Sequence, residues 1–307
     1  MKRYAYYPGC SLETMAASYH ISAVETAAKL DVSFEEIEDW NCCGATAYSA
    51  IDELLAQTLC SRNLAIAEQA GLNVVAPCSA CFKNLYFANE HLKADPDLAE
   101  HMNFALEADD LHYTGSVSVQ HLMHVFVNDV GLDAIKRKVT HPLTGLKVAA
   151  YYGCQLIRPR RHDGGGEEGP RFFEDLMTAI GATPVRFGYA LRCCGASLIA
   201  TNRKVALGML RDLLRDAKLA GAEVIATACP LCQYNLECYQ GDVNREFGTD
   251  FSIPVVYFTQ LMGAAMGIRP KSLGFGRELI PAEPVLACVA RKPAAAKTSL
   301  GSKVGKP

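Results

Sequence analysis

Short apolar stretches and longer amphipathic stretches alternate along this chain of 307 residues. Lys2–Tyr7 and Lys147–Tyr152 are predicted to be short buried strands. Glu13–Lys29 has the spacing of an amphipathic helix, whose apolar face is formed by Met15, Tyr19, Ala23 and Ala27. Each half of the chain is therefore expected to begin with a strand that leads towards a helix.

The alternation continues through both halves. In the first half it predicts a half-buried strand at Val32–Ile37, a helix at Asp52–Ala70, a strand at Asn73–Pro77 and a helix at Ala80–Leu92. In the second half it predicts a helix at Arg203–Ala220 and a strand at Glu223–Ala228. The two long helices are each followed by a glycine, Gly71 or Gly221, a residue type that commonly ends helices.

Three cysteine motifs occur twice, in the same order. A Gly-Cys follows the first strand of each half, a Cys-Cys-Gly-Ala comes next, and a Cys-x-x-Cys comes last. The second and third motifs recur at a displacement of 151 positions, and 34 residues separate them in both halves. The cysteines concerned are Cys10, Cys42, Cys43, Cys78 and Cys81, and then Cys154, Cys193, Cys194, Cys229 and Cys232. Such a match indicates an internal duplication.

Strands that alternate with helices of this length indicate an α/β protein with parallel sheets. We predict two pseudo-repeated, Rossmann-like domains, residues 1–141 and 146–270, each with a small parallel sheet flanked by helices. Residues 271–307 are predicted to form an extended or disordered tail, because their end is rich in Pro, Ala, Lys and Gly. Ligands of such folds bind beyond the carboxyl ends of the strands, so the three motifs of each half are expected to converge.

The composition indicates a globular protein that uses its cysteines for metal binding or redox chemistry. Half of the residues are hydrophobic, so a large core can form without disulfides or metals. The net charge of −3 argues against nucleic acid as a partner. No segment has the character of a signal peptide or of a membrane-spanning helix, which predicts a cytoplasmic protein. In that reducing compartment, 13 cysteines indicate metal ligands or redox chemistry.

Thiolates favour iron–sulfur clusters, zinc or copper(I). Five thiolates in each half are one more than a structural zinc site or an ordinary four-iron cube requires. A structural zinc ion at each Cys-x-x-Cys, or a redox-active dithiol there, is the alternative. Cys60, Cys238 and Cys288 have no counterparts in the other half, and we interpret them as ordinary thiols.

Taken together, the three motifs resemble the CCG cysteine-rich family, which includes the B subunit of heterodisulfide reductase. Tyr151–Pro159 and Cys229–Leu236 are especially similar to that protein, and the resemblance extends from residue 4 to about residue 268. It implies that each half binds a four-iron cluster of an unusual, non-cubane type through five cysteines. One cluster would be bound by Cys10, Cys42, Cys43, Cys78 and Cys81, and the other by Cys154, Cys193, Cys194, Cys229 and Cys232.

The resemblance also implies a function, which is the cleavage or formation of a disulfide in a heterodisulfide-reductase-like complex. The partners would be a ferredoxin-like C subunit and a flavin-bearing A subunit, because the chain has no nucleotide-binding motif of its own. Arg158, Arg160 and Arg161 follow Cys154 closely, so the second cluster is expected to face the substrate while the first relays electrons. We favour the sulfur-oxidising branch of the family, in which a lipoyl or other sulfur-carrier protein would present the substrate.

Two other functions stay open at the level of sequence. An electron-transfer subunit of a quinone-linked dehydrogenase complex could place the apolar segment Phe258–Met266 against a membrane, although a core helix is the simpler interpretation. A zinc-stabilised binding module would have no redox function at all, and its metal content would separate it from the other two.

Overall fold

The computed structural model describes residues 1–45, 48–158 and 169–290. The first half contains strands β1 (Lys2–Tyr6), β2 (Val32–Glu36), β3 (Val74–Ala76) and β4 (Val119–His121). Its helices are α1 (Gly9–Leu12), α2 (Ala17–Lys29), α3 (Tyr48–Ile51), α4 (Glu53–Gln69), α5 (Ser79–Ala94), α6 (Pro96–Leu106), α7 (Leu122–His124) and α8 (Leu132–Lys138), with a 3-10 turn at Glu107–Asp109 and a π-helical stretch at Val125–Gly131.

The second half has the same kinds of element. Its strands are β5 (Lys147–Tyr151), β6 (Thr183–Val185), β7 (Val224–Thr227) and β8 (Val255–Tyr257). Its helices are α9 (Phe172–Ala179), α10 (Arg203–Leu219), α11 (Pro230–Cys238), α12 (Gln240–Phe247), α13 (Phe258–Ala265) and α14 (Glu283–Ala290), with 3-10 turns at Ala196–Leu198 and Pro270–Leu273.

The strands form two four-stranded sheets that are parallel throughout. The strand order is β2-β1-β3-β4 in the first sheet and β6-β5-β7-β8 in the second, so the two sheets have the same topology. All residues of β3 and β7 are buried, as expected for inner strands of a parallel sheet covered by helices on both faces. The predicted α/β fold with two repeats is confirmed.

Helix α2 begins later than its apolar pattern predicts. The pattern starts the helix at Glu13, but α2 runs from Ala17 to Lys29 and a separate short helix, α1, precedes it. Tyr19, Ala23 and Ala27 are buried as predicted, whereas Met15 is 49% exposed because it lies in the turn between the two helices.

The two halves share one core, in which α13 of the second half lies against α2 of the first. The Ser22 and Thr259 hydroxyl oxygens are 2.6 Å apart, and the Thr26 hydroxyl donates to the Thr259 carbonyl at 3.1 Å. Phe258–Met266 is buried throughout, so the core-helix interpretation is right and the membrane-facing one is wrong for this segment. Nowhere in the described ranges does a helix have both the length and the apolar character needed to cross a membrane.

The prediction of an extended or disordered tail from Lys271 is wrong for Lys271–Ala290. Lys271–Ala290 is folded against both halves, and Leu273 and Val285 are fully buried there. The Glu237 carboxylate accepts hydrogen bonds from the backbone N–H groups of Leu279 and Ile280, which fixes the segment. Buried apolar residues and these hydrogen bonds thus hold the segment, and Arg291–Pro307 lies outside the described residues.

We expect Gly263→Ala, within α13, to lower the free energy of unfolding by about 1–2 kcal/mol. A Cβ at Gly263 would lie 2.4 Å from Leu273 Cδ2 and 3.0 Å from Thr26 Oγ1, so the shared core would have to open. Gly208→Ala in α10 is the matched control, because a Cβ there meets nothing within 4 Å. It should stabilise the protein by about 0.5–1 kcal/mol through helix propensity. Urea unfolding that moves both variants in the same direction would contradict this packing.

Candidate metal centres

The carboxyl ends of the strands deliver the cysteines of each half to one edge of its sheet. Cys10 follows β1, the Cys42–Cys43 pair follows β2 on a loop, and Cys78 follows β3. Cys81 lies in the first turn of α5. The second half repeats this arrangement with Cys154 after β5, Cys193 and Cys194 after β6, Cys229 after β7, and Cys232 in α11. Because all strands are parallel, motifs far apart in sequence meet at the same edge.

Within each half the sulfur atoms form a chain of contacts. The Cys43 and Cys81 sulfurs are 3.2 Å apart, and the Cys194 and Cys232 sulfurs are 3.6 Å apart. Hydrogen bonds extend each chain, from Cys42 to Cys43 in the first half and from Cys154 through Cys193 to Cys194 in the second. Within the described ranges, no three His, Cys, Asp or Glu side chains surround a single point suited to one metal ion.

The degree of exposure differs along each chain of sulfurs in the same way. Cys10 and Cys42 are exposed, and Cys154 and Cys193 are partly exposed. The second cysteine of each pair and both cysteines of each Cys-x-x-Cys are buried, namely Cys43, Cys78, Cys81, Cys194, Cys229 and Cys232. Each site thus has a buried end and an end that reaches solvent.

A glycine directly before the first cysteine of each site leaves space beside the sulfur of the last cysteine. Gly9 has a φ of +69° and Gly153 a φ of +67°, a conformation that L side chains rarely adopt. A Cβ at Gly9 would lie 3.0 Å from Cys81 Sγ, and one at Gly153 would lie 3.2 Å from Cys232 Sγ. Any larger residue would therefore press on the sulfur of the last cysteine.

The backbone of each Cys-Cys pair is held by an asparagine. The Asn84 side-chain amide donates to the Cys43 carbonyl at 2.9 Å, and Asn235 donates to the Cys194 carbonyl at 2.8 Å. Our sequence analysis missed these residues, although both stand three positions after the last cysteine of their Cys-x-x-Cys.

A buried tyrosine also supports each pair. The Tyr7 hydroxyl donates to the Asn41 carbonyl at 2.8 Å, and the Tyr151 hydroxyl donates to the Arg192 carbonyl at 2.7 Å. Both carbonyls belong to the residue directly before the pair. Burial raises the pKa of both tyrosines, and the neighbouring thiolates raise it further. The signal in the sequence is a tyrosine three positions before the first cysteine of each half.

The two sites adjoin each other at their buried ends. The thiols of Cys78 and Cys229, one from each half, lie close enough to shift each other's pKa. The Tyr19 hydroxyl lies 3.0 Å from the Pro77 carbonyl and 3.3 Å from the Ala228 carbonyl, directly before those cysteines. The Tyr19 ring stacks on the Tyr257 ring with centroids 4.3 Å apart. The duplication therefore brings two cysteine sites into contact.

The histidines at the end of β4 and the end of α7 belong to the core rather than to a metal site. His121 Nε2 lies 3.2 Å from the Ala228 carbonyl, and burial lowers its pKa to about 3. His124 is also buried, between aromatic rings that include Phe172. Both imidazoles thus support the contact between the halves.

Crowding shifts the pKa values of the cysteines in opposite directions. A hydrogen bond with Cys154 lowers the pKa of Cys193 to about 2, with a further contribution from Cys194. The Cys193 thiolate in turn raises the pKa of Cys194 to about 12. Hydrogen bonding to Cys194 and burial both raise the pKa of Cys232. Five thiolates this close repel each other, so all of them can ionise together only beside a cation.

A cavity of about 260 Å³ opens among the five cysteines of the second half. The first half closes it with Ala45, Ala80, Lys83 and Asn84. Arg158 is exposed, and its charge acts on Cys154 and Cys193, which places it at the solvent end of this site. Arg160 and Arg161, which were predicted to face the substrate, lie outside the described residues. Sequence analysis gave no signal for Lys83, which comes from the other half.

The comparisons with known proteins agree with the geometry. The family model of the CCG cysteine-rich domain matches residues 4–86 and 148–237. The membrane anchor subunit of the 8-methylmenaquinol:fumarate reductase of Wolinella succinogenes is 35% identical over 92% of this chain and 98% of its own length. The B subunit of the ferredoxin/F420H2-dependent CoB-CoM heterodisulfide reductase of Methanosarcina acetivorans is 32% identical over 91% of this chain and 94% of its own.

A crystal structure of a hypothetical protein from Helicobacter pylori has the same fold. Its TM-score is 0.74 at 16% sequence identity, and the match covers 91% of this chain and 52% of that one. The two matched domain copies contain all ten repeated cysteines, and the curated relatives align with nearly the whole chain. This protein therefore belongs to the CCG cysteine-rich domain family and is a homologue of the heterodisulfide reductase B subunit.

Proposed function

We propose that this chain is the iron–sulfur subunit of a heterodisulfide-reductase-like complex and that it cleaves or forms a disulfide at two four-iron clusters of non-cubane type. The observation that carries this proposal is the contact between two complete sets of five cysteines, each with a buried end and a solvent-facing end. The first set is Cys10, Cys42, Cys43, Cys78 and Cys81, and the second is Cys154, Cys193, Cys194, Cys229 and Cys232.

The residues present fit such a group. The donors are all thiols, which favour iron–sulfur clusters. The second set surrounds a cavity of about 260 Å³, and Gly9 and Gly153 keep the space beside the last sulfur free. A multi-iron cluster distributes its thiolates over several metal ions, which agrees with a chain of sulfurs rather than one ring of donors. When bound, the clusters would supply one-electron steps and iron atoms to which a sulfur can bind.

The protein's own residues would hold, orient and shield these groups. Asn84 and Asn235 fix the carbonyls of the two Cys-Cys pairs, and Tyr7 and Tyr151 fix the carbonyls before them. Burial of Cys78 and Cys229 excludes water from the point where the two sites adjoin. A disulfide can approach the second site at its solvent end, where Cys154 and Cys193 are partly exposed beside Arg158.

The relatives and the charge at that end support the partners and the substrate that we propose. One relative is named as the B subunit of a ferredoxin/F420H2-dependent heterodisulfide reductase, which supports a ferredoxin-like C subunit and a flavin-bearing A subunit as partners. Arg158 is exposed beside Cys154, and this supports an acidic lipoyl or other sulfur-carrier protein as the source of the disulfide in a cytoplasmic sulfur-oxidation system. The second site would meet the carrier, and the first would relay electrons.

A second candidate is an electron-transfer subunit of a quinone-linked reductase complex. The observation that favours it is the 35% identity to the membrane anchor subunit of the 8-methylmenaquinol:fumarate reductase, over 98% of that protein. In this function the same two sites would pass electrons from a quinol, and no sulfur compound would bind at Cys154.

Re-oxidation of the reduced protein separates the two candidates. Chain that has been purified anaerobically and reduced with dithionite would be mixed with lipoamide in its disulfide form or with a short-chain menaquinone. We expect lipoamide to re-oxidise the clusters, and the quinone to do so at least about tenfold more slowly. The reaction would be followed by the absorbance of the quinone. If the quinone re-oxidises the clusters rapidly and lipoamide does not, the reductase-linked function is favoured instead.

Cysteine variants test the ligand assignment. Cys42→Ala and Cys193→Ala should each lose one cluster, and so about half of the iron bound by the unaltered chain. Cys60→Ala is the matched control, since Cys60 is buried near the first site but its thiol donates to the Cys43 carbonyl, at 3.3 Å, rather than to a cysteine sulfur. It should keep its full iron content. Equal iron loss in Cys60→Ala and Cys42→Ala would refute the assignment.

Reversing the charge of Arg158 tests whether an acidic carrier protein docks at the second site. Arg158→Glu should lower kcat/KM for an acidic lipoylated carrier domain by about tenfold, because opposite charges at a rim speed encounter. The effect should shrink at high salt, and free lipoamide, which is neutral, should react at nearly the original rate. Arg137→Glu, exposed at the end of α8, is the control. An unchanged rate with the carrier domain would exclude this docking site.

A further inference from the structure

We propose that Lys83 is a positioning residue through which the first half of the chain raises the reduction potential of the cluster in the second half. The inference rests on the proposed function, since it requires a cluster at the second site. Lys83 stands on α5, two residues after Cys81, yet it lines the cavity formed by the five cysteines of the other half. It thus carries a positive charge across the interface between the repeats.

The charged groups that act most strongly on Lys83 do not neutralise its ammonium group, so its positive charge can act on a cluster. Its side chain is only partly exposed, and the charges that act on it most strongly are those of Arg158, Cys43, Cys60 and Cys154. No carboxylate is among them. A cation beside a metal–sulfur group stabilises the form that carries the extra electron, and the effect is large where little water screens it.

Comparison of the two repeats shows that this charge is not part of the shared scaffold. The position that corresponds to Lys83 in the second half, counted from the Cys-x-x-Cys, is occupied by Tyr234, a neutral residue that is 37% exposed. The next position carries asparagine in both halves, Asn84 and Asn235, and both have the same hydrogen bond. The asparagine that holds the Cys-Cys pair is therefore present in both repeats, whereas of the two equivalent positions only that of Lys83 carries a cation.

The consequence is a higher reduction potential at the second site than the residues of its own half would give. The step concerned is the addition of one electron to the second cluster, supplied by a partner protein of the complex or by dithionite in vitro. No bond is made or broken in this step, and Lys83 keeps its proton. The second site would hold the electron more tightly than it would without Lys83, which favours the arrival of electrons at the end that meets Arg158 and the substrate.

Redox titration followed by electron paramagnetic resonance tests this proposal. It uses the full chain in the two single-cluster backgrounds, Cys42→Ala and Cys193→Ala. With the second cluster retained, Lys83→Gln should lower the equilibrium constant for one-electron reduction by about tenfold, or about 59 mV. With only the first cluster retained, a shift is also expected, because Cys43 of that site acts on Lys83 as well. Lys83→Arg, which keeps the charge, should preserve the original potential.

Lys204→Gln supplies the matched control, because it removes the same charge at an exposed position in the first turn of α10. Its potentials should not change. An unchanged second potential in Lys83→Gln, an equal shift in Lys204→Gln, or a Lys83→Arg variant that behaves like Lys83→Gln would overturn the role of Lys83. Iron content and spectra recorded before titration report separately whether the clusters exist, so failure of the proposed function would be recognised first.

Discussion

Ten thiol groups are crowded at the adjoining edges of two parallel sheets, and the rest of the structure depends on this crowding. Sulfur atoms 3.2 Å and 3.6 Å apart cannot all carry charge unless a cation lies among them. The pKa values of Cys193 and Cys194 are shifted in opposite directions, as expected when neighbouring thiols compete for one charge. The fold keeps the thiols together because buried strands, fixed glycines and hydrogen-bonded carbonyls hold the loops that carry them. We propose that iron supplies the missing charge.

Duplication gives the protein two such sites, and the shared core determines how they meet. Helix α13 packs on α2, Tyr19 lies close to carbonyls of both halves, and Cys78 contacts Cys229. The supports are repeated, with an asparagine and a tyrosine at equivalent places in each half. The charges are not repeated, since Lys83 and Arg158 both act on the second site. A symmetric scaffold thus carries an asymmetric electrostatic field, which suits a direction of electron flow.

Much of this could be predicted from the sequence, because the decisive signals are local. Strand ends, helix-ending glycines and the repeated spacing of cysteines depend on neighbouring residues, and the predicted strands agree with β1, β2, β3, β5 and β7. What was missed depends on contacts between distant segments. β4, β6 and β8 have three residues each, too few to show a period, and unlike the equally short β3 they do not lead directly into a cysteine motif. Lys83 faces a site in the other half, and the folding of Lys271–Ala290 depends on partners such as Glu237 that no local pattern reveals.

The most direct test of the central claim is the content of iron and acid-labile sulfide per chain after anaerobic purification. Two four-iron clusters predict about eight of each. About four of each would mean that only one of the two sets of five cysteines binds a cluster, and the pairing of two redox sites would be wrong. Zinc without sulfide would contradict the redox account altogether.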